Sequence, residues 1–161
     1  MWKRVFLRTV GMGSVLIQYG CIAHCTLEFV GDFVVCTGPS MMPTIKSNDI
    51  VITEHISVGR RNIEVGDIVV ARSPHNPTQH ICKRVLGLEG DWIDNPPPHY
   101  SHRYIPKGYV WLEGDNKDNS TDSRSYGPVP YALLRSRVFF KVWPVHDIGS
   151  MSHNYGKERN D

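Results

Sequence analysis

The sequence predicts a mostly β protein, an antiparallel β-sandwich or partial barrel, preceded by an apolar helix at the amino terminus. Two observations carry that expectation. Apolar runs from residue 33 onward are short, rich in β-branched and aromatic residues, and interrupted at close intervals by turn residues. Residues 10–27, in contrast, form one longer apolar stretch.

The elements follow in order. Trp2-Lys3-Arg4-Val5-Phe6-Leu7-Arg8 is basic and amphipathic and defines a first segment, 1–9. The apolar stretch after it carries Gln18 and His24 together with Gly11, Gly13 and Gly20. It is slightly short against the ~20 residues that a bilayer requires. Composition leaves three readings open: a cleaved presequence, a core or surface helix, or a retained anchor over 10–30. Basic residues precede the stretch and Glu28 and Asp32 follow it. An anchor would therefore leave Lys3, Arg4 and Arg8 behind and send the remainder across.

A β-rich domain is expected over 31–146. Phe33-Val34-Val35-Cys36 leads into a proline-flanked turn, Ile50-Val51-Ile52 follows Asn48-Asp49, and Ile68-Val69-Val70-Ala71 follows Gly66-Asp67. Residues 81–88, Tyr109-Val110-Trp111-Leu112 and Val138-Phe139-Phe140-Lys141-Val142-Trp143 supply further strands. Asn95-Pro96-Pro97-Pro98 cannot donate to a ladder and reads as a loop. Residues 131–136 read as a brief helical turn, and 147–161 as a polar, flexible tail.

The bulk properties exclude several classes. A chain of 161 residues suits one domain, and a net charge of +2 without an aromatic-interleaved basic patch gives no case for nucleic acid. Cys21, Cys25, Cys36 and Cys82 lack a Cys-x-x-Cys spacing, so free buried thiols are expected. His80-x-Cys82 and His99-x-x-His102 have no matching second pair, so neither a metal nor any other cofactor is expected.

Two stretches carry chemistry. Ser40 lies in Gly38-Pro39-Ser40-Met41-Met42-Pro43-Thr44, where the flanking prolines favour a rigid turn that presents the hydroxyl. Lys83 lies among Ile81, Cys82, Val85 and Leu86, an apolar β-prone run that would desolvate its amine. A serine hydroxyl needs a neighbouring base to become a nucleophile, and a lysine serves only when burial lowers its pKa. Side chains alternate along a strand, so Arg84 points away from Lys83 and one of the two faces inward.

Ser-Met-x-Pro-Thr from Ser40, Lys-Arg-Val-x-Gly-x-x-Gly-Asp from Lys83, and Gly-Asp-Asn-x-Asp-Asn-Ser-x-Asp-Ser-Arg from Gly114 occur in one order over residues 38–129. Together they resemble the signal peptidase I family and, by compactness, its mitochondrial inner-membrane branch. The resemblance implies a mostly antiparallel β fold of the signal peptidase type and a serine endopeptidase with Ser40 as nucleophile and Lys83 as general base. It implies that Ser120 orients the lysine and that an Asp122–Arg124 ion pair pins the loop. Lys117 stands where many members carry arginine. The Ser40 backbone N–H would be one oxyanion donor. The second is unassigned, because Gly38 occupies the position where bacterial members often carry a serine.

Substrate would bind as an added strand beside Phe33, Val35 and Thr37 on one side and His80 and Cys82 on the other. Phe139, Phe140 and Trp143, or Met41 and Met42, could rim the site against lipid, with plain core as the favoured reading. The resemblance further implies precursor proteins with amino-terminal sorting peptides as substrates, contact with the lipid bilayer, and a sister peptidase subunit in a heterodimer. It favours the anchor reading of 10–30 and a catalytic domain facing the intermembrane space. A bacterial-type signal peptidase and a noncatalytic membrane-tethered partner subunit are the alternatives. A self-cleaving repressor-type protease is disfavoured, since the chain has neither an Ala-Gly nor a Cys-Gly bond.

Overall fold

The structure is a computed structural model that describes residues 2–26, 31–93, 100 and 104–151, with the side chains of the first helix described from residue 13. Helix α1 spans Trp2–Cys25. Strands β1 (Gly31–Val35) and β2 (Ile50–Glu54) come next, then a short helix α2 (Ile56–Gly59), β3 (Ile68–Arg72), β4 (His80–Gly87) and β5 (Tyr109–Glu113). A one-turn helix α3 (Ser123–Tyr126), β6 (Val129–Pro130), the long β7 (Leu134–Trp143) and β8 (Gly149–Ser150) complete the order.

All strand pairs are antiparallel, in the order β1-β2-β7-β3-β4-β5-β6, with β8 added to β7. The long β7 lies between β2 and β3, and its ladders to both are broken by register shifts. Such bulges bend a strand and increase its twist. The bend is large enough that Cys36, just after β1, and Cys82, on β4, pack in one buried cluster although three strands separate them in the sheet. The sheet is thus a single curled partial barrel and not a two-sheet sandwich.

β3 is apolar without alternation because it is buried on both faces. Val69 and Ala71 join Val85, Val110, Leu112 and Val129 in one core cluster, while Ile68 and Val70 join Met41, Ile45, Val51 and Val138 in another. The same geometry buries both members of the Lys83-Arg84 pair, one on each face of β4. Lys83 faces inward as expected, and Arg84, on the opposite face, is buried as well.

The amino-terminal helix starts at Trp2, earlier than the expected 10–30, and ends at Cys25. No helix among the described residues is long and apolar enough to cross a membrane, so the apolar anchor expected over 10–30 is not seen. Gln18, Ser14, His24 and the glycines dilute its apolar content. Residues 27–30 lie outside the described residues. The helical turn expected at 131–136 is a 3-10 turn over Tyr131–Leu133 that gives way to β7 at Leu134. The polar tail begins later than expected, since Gly149 and Ser150 still pair with Lys141 and Phe140. The proline loop at 95–98 and most of the tail lie outside the described residues. Met41 is core, as its favoured reading had it, whereas Met42, Phe139 and Trp143 are exposed.

Candidate active site

Ser40 is presented by a turn that starts where β1 leaves the sheet. The Cys36 N–H donates to Asp49 O at 2.8 Å, and Asn48 N donates back to Cys36 O at 2.8 Å. Gly38 then turns the chain with φ +94°, a left-handed conformation that side chains rarely adopt. Met42 N bonds Pro39 O at 3.1 Å and Ile45 N bonds Met41 O at 2.9 Å, closing the turn. Buried Met41 and Ile45 anchor it in the core. Ser40 itself is half-buried. Among the described residues, neither its hydroxyl nor its N–H has a hydrogen-bond partner.

Lys83 lies opposite Val69 in the β3–β4 ladder and is 3% exposed. Its Nζ donates to the Ser120 hydroxyl at 2.8 Å. Burial holds the lysine pKa below its ordinary value, and the nearby Arg124 guanidinium pushes the same way. Asp122, Cys82 and Asp115 oppose this without reversing it. The result is an amine that gives up its proton more readily than a solvated lysine, which is the requirement for a lysine base.

The loop after β5 fixes Ser120. Burial would raise the pKa of the fully buried Asp122, but the Arg124 guanidinium, the Gly114 amide and the Ser120 hydroxyl together hold it below its ordinary value. Arg124 Nε lies 2.9 Å from Asp122 Oδ1 and its Nη2 lies 2.8 Å from Oδ2, a bidentate pair. The same guanidinium donates to Lys117 O at 3.1 Å. Gly114 is the contact point between this loop and the serine turn. A Cβ there would stand 2.5 Å from the Ser40 carbonyl and collide with the Ser120 hydroxyl. Ser40, Ser120 and hence Lys83 thus converge on one backbone position.

Three further ties were not assigned from sequence. Asn116 donates its backbone N–H to Ser40 O at 3.0 Å and its side-chain Nδ2 to Pro39 O at 3.1 Å, clamping the serine turn. Asn116 was visible within the third motif, but nothing in the spacing gave it a role. Arg84, on the other face of β4, forms a bidentate pair with Asp115 at 2.6 and 2.8 Å and donates to Gly66 O. A lone lysine in the apolar run of β7 gave no signal at all. Lys141 Nζ donates to Thr44 O at 2.7 Å and pairs with Asp147 and Asp49, holding the far end of the serine loop.

A cleft of about 410 Å³ contains Ser40, Lys83, Thr37, His80 and Cys82 in its wall. Cys36 bonds across towards Asp49 and Asn48, so antiparallel alternation turns the backbone groups of Val35 and Thr37 away from β2. Ser73 N bonds Gln79 O at 2.9 Å, which sets the phase of β4 and turns the backbone of His80 and Cys82 away from β3. β5 pairs with β4 only from Arg84 onward, so among the described residues no strand pairs the outer edge of β4 at His80 and Cys82. Phe33 and Val35 expose their side chains on the β1 edge.

A serine on a turn, a buried lysine and the edges of two strands thus line one cleft. The model of the signal peptidase family, peptidase S26, matches residues 9–97 and 94–143, and the chain belongs to that family. Its relatives include the mitochondrial inner membrane protease subunit 1 of Homo sapiens, 55% identical over 152 residues that cover 92% of each chain. The subunit 1 of Xenopus tropicalis is 51% identical over 157 residues, 96% of this chain and 94% of the relative. The subunit 2 of Danio rerio is 40% identical over 112 residues, 66% of this chain and 61% of the relative.

Proposed function

We propose that this protein is a serine endopeptidase with a Ser40–Lys83 dyad. It removes amino-terminal sorting sequences from proteins delivered to the mitochondrial intermembrane space. The observation that carries the reading is the Lys83 amine, buried on the Ser120 hydroxyl, in the wall of the cleft that also contains Ser40. The Ser40 hydroxyl is not hydrogen-bonded to Lys83, a contact that catalytic groups often complete only with substrate in place.

An extended precursor segment adds as a strand between the backbone edges of Val35 and Thr37 and of His80 and Cys82. Neutral Lys83 takes the Ser40 proton as Oγ attacks the scissile carbonyl, and the Ser40 N–H donates to the oxyanion. The ammonium then gives that proton to the departing amine, leaving an acyl-enzyme. Water, deprotonated by the same lysine, releases the acid and restores Ser40. Asp122 and Arg124 keep Ser120 in place, and Ser120 aims the amine. Names of relatives as subunit 1 and subunit 2 of one protease support a sister subunit in a heterodimer, working at the outer face of the inner membrane.

Purified protein, with its sister subunit, is expected to cleave a sorting precursor. Ser40→Ala and Lys83→Ala each abolish cleavage, and full activity in either variant removes the dyad.

A further inference from the structure

Cys36 and Cys82 stand on the two edges between which the substrate strand is placed, and no step of the hydrolysis uses either thiol. Cys36 follows β1 and Cys82 lies on β4, strands that are not neighbours in the sheet. Both residues line the cleft, and both pack with Met41 and Val70 in one cluster. Both thiols are free. The pair therefore bridges the open gap of the partial barrel by side-chain contact alone.

We propose that Cys36 and Cys82 form a redox pair whose disulfide closes the peptide slot. The closure follows from two lengths. A disulfide holds its two Cα atoms about 4.4–6.8 Å apart. A strand inserted between two others needs about 4.7–4.9 Å on each side, hence roughly 9.5 Å between the flanking backbones. Both conditions cannot hold at one level of the slot, so the oxidised enzyme excludes its substrate. Ser40 lies shortly after Cys36, and Lys83 directly follows Cys82, so the crosslink falls beside the reacting groups.

The chemistry is thiol–disulfide exchange with a small-molecule disulfide such as oxidised glutathione. The Cys36 thiolate attacks one glutathione sulfur and expels the other as a thiolate. The Cys82 thiolate then displaces the remaining glutathione, so two protein thiols become one disulfide and one glutathione disulfide becomes two thiols. Contact with Cys82 lowers the Cys36 pKa, and contact with Cys36 together with burial raises that of Cys82.

This inference rests on the proposed strand addition, and its test separates the two. The full chain with its sister subunit is incubated with oxidised glutathione, mapped by non-reducing peptide mass spectrometry, and assayed on a precursor before oxidation, after it, and after a thiol reductant. The expected result is a Cys36–Cys82 linked peptide, a fall in cleavage rate of an order of magnitude, and recovery on reduction. Cys36→Ser keeps its own untreated rate through the same treatment, which sets aside modification of the exposed Cys21 and Cys25. A map with both cysteines still alkylatable, or with glutathione on Cys36 and no link, overturns the pair. A linked protein that cleaves at its reduced rate overturns the closure while leaving the peptidase reading intact. If the reduced protein does not cleave, the peptidase reading falls, and capture of a labelled precursor peptide by reduced but not by linked protein decides the closure.

Discussion

Lys83 Nζ and the Ser120 hydroxyl lie 2.8 Å apart across the gap between β4 and the loop that follows β5. The contact joins two segments remote in sequence and gives the lysine one preferred direction. Burial keeps its pKa below the ordinary lysine value of 10.5, and the hydrogen bond holds the amine at Ser120, whose hydroxyl lies beside the point where Gly114 meets the Ser40 carbonyl. The proposed base, lowered and held in this way, has a signature in both rate and pH.

Cleavage is expected to rise with pH as Lys83 loses its proton, with a midpoint below 10.5, since only the neutral amine accepts the Ser40 proton. Ser120→Ala leaves the amine unaimed and is expected to lower kcat about tenfold to a hundredfold with KM little changed. A pH profile of kcat/KM for wild type and a kcat–KM split for the variant check both. A flat profile from mildly acid to alkaline pH speaks against lysine as the base.

Gly114→Ala tests the convergence of the site on one backbone atom. The added methyl meets the Ser40 carbonyl and the Ser120 hydroxyl, so the serine turn and the loop must move apart. The expected cost is about 1–3 kcal/mol of stability, with a loss of kcat larger than that destabilisation explains at a temperature where the variant is folded. Gly59→Ala, whose methyl meets nothing within 4 Å, provides the matched control. Equal activity in the two variants, measured beside their urea midpoints, removes the convergence argument.

The motif residues were legible because their chemistry is written in order along the chain. Ser40, Lys83 and the 114–124 loop were singled out through the resemblance that their three ordered motifs carry, and the structure brings them together around Gly114. The partial barrel was legible less sharply, because alternation on β2 and β7 gives way to the fully apolar β3, and periodicity cannot say which of two faces each core residue serves. The double burial of Lys83 and Arg84 follows from that two-sided packing and was hidden for the same reason. Anchoring of the serine loop by Asn116 and Lys141 depends on contacts between residues far apart in the chain, which no local pattern encodes. A helix near the amino terminus was legible, but it begins at Trp2 and not near residue 10, and glycines and scattered polar residues dilute its apolar content.

Two buried lysines in this small domain are expected to respond to pH in opposite senses. Burial pushes the pKa of Lys141 down, but its bonds to Asp147 and Asp49 outweigh this and hold it above the ordinary value. Its contribution is therefore fully present below the unfolded pKa of about 10.4 and is lost only as pH climbs through the higher folded value. Lys83 is the reverse case. The unfolded chain keeps the Lys83 proton in a range where the folded protein has released it, so wild-type stability rises with pH between the lowered folded value and the unfolded one. Lys141→Met leaves Asp49 buried without its cation and frees the Thr44 carbonyl. It is expected to cost about 3–5 kcal/mol, unchanged between about pH 7 and about pH 10. Lys83→Met is expected to be inactive yet more stable than wild type near neutral pH, with an advantage that shrinks as pH approaches the unfolded lysine value. Urea unfolding of both variants at the two pH values measures the contrast, and parallel pH responses would show that the two lysines do not differ in the way their surroundings require.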